Sequence, residues 1–145
     1  MASGNRSAFW HLTLGLLACA LSTTVAAQPK GVAIELNKAE TSARGCTAAF
    51  VIANRTGQTL DRFSIELYLF DAAGVLSERL IVDLAPLPRG RTRIAGFDLS
   101  TSPCPAIGRL LVHDIPDCRA EATGEPVDCI GGLSVSSKSR IPLDK

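Results

Sequence analysis

Residues 62–70 read Arg-Phe-Ser-Ile-Glu-Leu-Tyr-Leu-Phe, and their hydropathy alternates with period two. Phe63, Ile65, Leu67 and Leu69 fall on one face of an extended chain, and Arg62, Ser64, Glu66 and Tyr68 on the other. That is a strand with one face in a core and one toward water. Asp71-Ala72-Ala73-Gly74 ends the run with a turn, and Val75–Leu84 resumes the extended pattern, so a hairpin is expected. Further strands are expected at Val32–Leu36, Cys46–Ala53, Arg91–Leu99 and Gly108–Ile115, with a last short one within Val127–Val135. Cys46–Ala53 is apolar on both faces, as a central strand would be. Two prolines in Pro86-Leu87-Pro88-Arg89-Gly90 make a loop there. Residues 37–43 carry no apolar stripe and read as a polar loop. The Ser/Lys-rich tail from Ser134 to Lys145 reads as loosely packed after its first residues. About seven short antiparallel strands punctuated by Gly, Pro and Asn predict an all-β chain folded as a single sandwich.

The N-terminal segment sets the compartment. Arg6 gives a short positive region, Phe9–Leu21 an apolar run, and Val25-Ala26-Ala27 small residues at a cleavage site. Residues 1–27 therefore read as a signal peptide, leaving 28–145 as one domain in the periplasm or outside the cell. The apolar run is too short for a membrane span. The single arginine fits the general export route. Leu16-Leu17-Ala18-Cys19 also resembles a degraded lipobox, so acylation of Cys19 and a lipid anchor form the alternative to simple cleavage.

Four cysteines follow the leader: Cys46, Cys104, Cys118 and Cys129. An exported chain with an even number of cysteines and no Cys-x-x-Cys pair is expected to carry disulfides rather than a zinc or redox site. Four cysteines allow three pairings. Cys118 and Cys129 flank a polar segment and can close a local loop. Cys46 with Cys104 would then join the starts of two strands distant in sequence.

Between Phe50 and Phe97 the chain resembles the FxLYD-type domain, an Ig-like module of exported bacterial proteins. The motif falls on Leu67-Tyr68-Leu69-Phe70-Asp71, with Leu69 and Asp71 matching outright, Leu67 in place of Phe and Phe70 in place of Tyr. Asn54-Arg55-Thr56-Gly57, Gly74 and Pro88-Arg89-Gly90 also fit. The resemblance implies an Ig-like sandwich and carries over no catalytic residues. The cysteines are a departure from the family pattern. The whole chain is also similar to small secreted proteins of Gram-negative bacteria.

The remaining chemistry is sparse. Without Arg6, 14 of the 15 basic residues remain against 14 acidic ones, so the exported chain is formally neutral. That argues against nucleic acid as a partner, which needs a basic face. His113-Asp114 lacks a nucleophile elbow and reads as an ordinary strand pair. Asp61, Glu66, Asp71 and Asp83 read as surface carboxylates, with Asp71 serving its turn and no calcium loop present. Arg89, Arg91 and Arg93 form the one basic cluster, read as charges guarding an edge strand. No catalytic, cofactor-binding or metal-ligating residue is expected. The expected function is binding of a protein or envelope component. A lipid-anchored structural lipoprotein is the alternative, and a small hydrolase or redox enzyme the more distant one.

Overall fold

The computed structural model describes Met1 and residues 30–145. The expected signal peptide, its expected cleavage site and Cys19 lie outside the described residues, Met1 excepted. Eight strands follow in order: β1 (Val32–Ser42), β2 (Gly45–Asn54), β3 (Leu60–Asp71), β4 (Leu76–Asp83), β5 (Thr92–Ser100), β6 (Ile107–Ala120), β7 (Ser134–Ser137) and β8 (Leu143–Asp144). One 3₁₀ turn, Cys104–Ala106, leads into β6. The strands form two four-stranded sheets, ordered β5-β2-β1-β7 and β4-β3-β6-β8. They pack face to face around Ile34, Leu36, Phe50, Ile52, Phe63, Ile65, Leu67, Leu69, Leu110 and Val112. Phe50 and Phe97 stack within this core, ring centroids 4.9 Å apart. The sandwich, the hairpin of β3 with β4 and the alternation along 62–70 agree with the sequence reading.

The turn chemistry behind the hairpin is explicit. Asp71 Oδ1 accepts from the N–H groups of Ala73 and Val75, both at 2.9 Å, and Gly74 takes a φ of 80°. Gly45 opens β2 with a φ of 118°, and a Cβ there would lie 2.1 Å from the Ser100 carbonyl oxygen. Only glycine allows this approach between the β1–β2 turn and the end of β5.

Four expectations are corrected. Residues 37–42 are strand, not loop: β1 continues past a bulge at Asn37 and stays paired to β2 as far as Ser42. The last strands are β7, which shares only Ser134 and Val135 with the expected 127–135, and β8. Val127 instead returns beside Cys118 in a local hairpin. The tail is packed: Ile141 and Leu143 are buried, and β7 and β8 each close one sheet. Both pair in parallel, β7 with β1 and β8 with β6, so the sandwich is mixed rather than wholly antiparallel.

Both disulfides have the expected partners. Cys46–Cys104 joins the start of β2 to the turn before β6, with Cα atoms 4.6 Å apart, and so ties one sheet to the other. Cys118–Cys129 staples the local hairpin after β6, with Cα atoms 6.4 Å apart.

Asn54 fastens the far end of the sandwich. Its buried Nδ2 donates to the carbonyls of Gln58 at 2.9 Å and Leu87 at 2.7 Å. Its Oδ1 accepts from Thr56 N–H at 3.0 Å and Thr56 Oγ1 at 2.7 Å. A residue read as part of a turn is thus a fully satisfied buried amide, as burial of a polar group requires.

Candidate functional site

A cleft of about 640 Å³ opens at one side of the sandwich, and its origin lies in unequal strand lengths. β7 pairs with β1 only along Ala33–Leu36. It ends at Ser137, and the chain crosses to the other sheet to form β8, while β1 runs on to Ser42. The unpaired flank of β1 and the crossing segment Lys138–Ile141 become the walls. Cys104, Pro105 and Ile107 complete the lining. The volume lies within the range of small-molecule sites.

The crossing is held by its own hydroxyls. Ser137 Oγ donates to the Ile141 carbonyl at 2.6 Å, and Ser139 Oγ accepts from Ile141 N–H at 3.0 Å. Lys138 N–H donates to the Leu36 carbonyl at 2.9 Å. Alternation then buries Ile141 and leaves Lys138 and Arg140 exposed. Facing them on β1 are Asn37, Lys38 and Thr41.

Three cations line this cleft, and they are differently engaged. Lys38 Nζ lies 2.8 Å from Glu40, and Lys138 Nζ lies 3.2 Å from Glu35. Asn37 Nδ2 donates to Glu35 at 2.8 Å. The Asn37 hydrogen bond, with Lys138 adding to it against a smaller cost of burial, holds the Glu35 carboxyl below its ordinary value of 4.5. Glu35 therefore remains charged and partnered. Arg140 has no carboxylate within 4.0 Å among the described residues. A guanidinium free at the rim, beside an amide and two hydroxyls, can take a phosphate or carboxylate through paired N–H donors.

The residues singled out from sequence lie elsewhere. Of the four cysteines, only Cys104 borders the cleft, and all four are tied in disulfides. His113 is exposed and meets Tyr68 edge-on with centroids 5.1 Å apart, while Asp114 accepts from Ile115 N–H at 2.8 Å. Asp61 and Asp83 are exposed, but Glu66 is not a surface carboxylate: it is buried on the outer side of β3, ion-paired to Arg79. Strand β5 is an edge, as its arginines suggested. Arg93, however, is turned to clamp rather than guard. Its Nη1 donates to the carbonyls of Leu84, Ala85 and Pro86 at 3.2, 2.6 and 3.2 Å. Arg89 and Arg91 are exposed beside it. Sequence reasoning missed Lys38, Lys138 and Arg140. The one signal for the latter two was the Lys-Ser-Arg spacing, which sets both cations on one side of an extended segment.

Among the described residues, no three His, Cys, Asp or Glu side chains are grouped as metal ligands would be, and no helix is long and apolar enough to cross a membrane. Comparison with protein-family models, with curated proteins and with solved structures yields no match.

Proposed function

We propose that the chain is an exported, non-enzymatic binding domain that takes an anionic envelope component, such as a phosphorylated or acidic sugar, in the cleft between β1 and the Lys138–Ile141 crossing. The observation that carries this reading is Arg140, a cation without a carboxylate partner on a pre-shaped wall. Asn37 Oδ1 and the Thr41 O–H, the parts of those groups not used by Glu35 or by Cys104 N–H, suit sugar hydroxyls, and Ala39, Pro105 and Ile141 offer an apolar floor. Two disulfides favour an oxidising compartment and agree with the leader at 1–27. The FxLYD-like reading of residues 50–97 is compatible with this role but carries no ligand of its own, because a fold shared by many functions does not specify one.

The test is capture of envelope glycans on the immobilised, oxidised protein. The native protein should retain an anionic fraction, and Arg140→Ala should lose it by about tenfold in affinity, the worth of one charge-assisted contact. Equal retention by both would remove the cleft from the account.

A further inference from the structure

Strand β4 is an open edge, paired only with β3. Antiparallel ladders alternate hydrogen-bonded and non-bonded pairs. Leu84 N–H donates to the Phe63 carbonyl at 2.8 Å, which makes 63 and 84 a bonded pair. In the same register Ile65 faces Val82 and Leu67 faces Leu80, so those pairs are bonded too. Arg79, Ile81 and Asp83 therefore turn their backbone N–H and C=O groups outward, away from β3. Open edges of this kind invite another strand, and natural sheets usually blunt them. This one instead exposes Ile81 at 58%.

We propose that β4 pairs with the β4 of a second copy in antiparallel register centred on Ile81. The segment Arg79-Leu80-Ile81-Val82-Asp83 is complementary to its own reverse. A two-fold axis beside Ile81, perpendicular to the sheet, sets Ile81 opposite Ile81, Leu80 opposite Val82 and Arg79 opposite Asp83. All three outward-facing residues then fall in bonded pairs, so the register satisfies the backbone and the side chains together. On the outer face two ion pairs flank one apolar contact. On the inner face half-buried Leu80 and Val82 extend the core across the seam. A register shifted to centre on residue 79 sets arginine against arginine, and one centred on 80 leaves Asp83 opposite Ser77.

The charged groups are available for this use. Arg79 engages Glu66 through Nε and lies beside Tyr68, so a second copy's Asp83 would add to this pairing through Nη rather than replace it. Asp83 accepts from Ala85 N–H through Oδ1 at 2.9 Å and has no basic partner within 4.0 Å among the described residues. The second copy's Arg79 supplies one. The surface lies on the opposite side of the sandwich from the cleft, so the dimer and the binding site are independent.

Sedimentation equilibrium of the oxidised protein across a dilution series tests the pairing. The native protein should show twice the chain mass at its upper concentrations. Ile81→Lys and Asp83→Arg, both at exposed positions, should each halve it while the far-UV spectrum stays unchanged. Ile130→Lys, an exposed apolar position outside β4, should leave the dimer intact. A nitroxide at position 81 should show dipolar broadening that dilution removes, because paired Cα atoms in this register lie about 5.5 Å apart. A single-chain mass at every concentration would overturn the proposal, as would a dimer that survives both β4 substitutions.

Discussion

The two disulfides close loops of very different length, and their removal should therefore differ in cost. Cys46–Cys104 spans 58 residues and Cys118–Cys129 spans 11. In the chain-entropy treatment, cross-linking restricts the unfolded ensemble, which gives about 4 kcal/mol for the long loop and about 3 kcal/mol for the short one. Core packing does not separate them, because Cys46, Cys118 and Cys129 are all buried and Cys104 is half-buried. The long bridge differs in joining one sheet to the other. Cys118 and Cys129 hold a hairpin that keeps its own hydrogen bonds, including Val127 N–H to the Cys118 carbonyl at 2.9 Å. Urea unfolding of both double-alanine variants, without reductant, reads the difference. The Cys46/Cys104 variant should lose at least about 1 kcal/mol more than the Cys118/Cys129 variant, a clear separation against a total of about 5–15 kcal/mol. Equal losses, or a larger loss from the local bridge, would refute the reasoning that the long bridge holds the sheets together.

Leu67→Ala should cost about 2–5 kcal/mol, because its side chain is fully enclosed between the sheets; calorimetric or urea unfolding checks it. Asn54→Ala should cost about 1–3 kcal/mol by the same assay, since it strips hydrogen bonds from a buried junction. Asp98 accepts from Arg44 and from Thr47, and these bonds hold its carboxyl below its ordinary value of 3.8. A depressed folded-state value contributes stability that is present above the ordinary value and lost as the pH falls through the lowered one. Acid unfolding should accordingly steepen below about pH 4, and Asp98→Asn should flatten that limb of the stability profile.

How much was legible in the sequence depended on how each segment meets water. The 62–70 run could be read because β3 is flanked by β4 and β6, with its inner face sealed by the opposite sheet, so side chains alternate strictly between core and outer face. Residues 37–42 carried no such signal, because beyond Leu36 the strand has a partner on one flank only and both faces are wet. β7 is four polar-leaning residues whose pairing with β1 is parallel and distant, a contact that no local pattern encodes. Ile141 and Leu143, two apart in a polar tail, were the trace of the packed crossing and β8 that follow it. Glu66 looked like any outward carboxylate, and only the register that sets Arg79 beside it explains its burial. The cleft was invisible for a similar reason. Lys38 lies far in sequence from Lys138 and Arg140, and they meet because β7 stops short of the end of β1.

The cleft between β1 and the Lys138–Ile141 crossing is proposed to take an anionic ligand. Amide chemical-shift mapping of the oxidised protein titrated with glucose 1-phosphate, against glucose as the neutral control, tests it most directly. Saturable shifts confined to residues 37–41, 104–107 and 138–141, present with the phosphate ester, absent with glucose and needing about tenfold more ester in Arg140→Ala, are the predicted result. Unshifted cleft amides, or shifts that glucose reproduces, would contradict it.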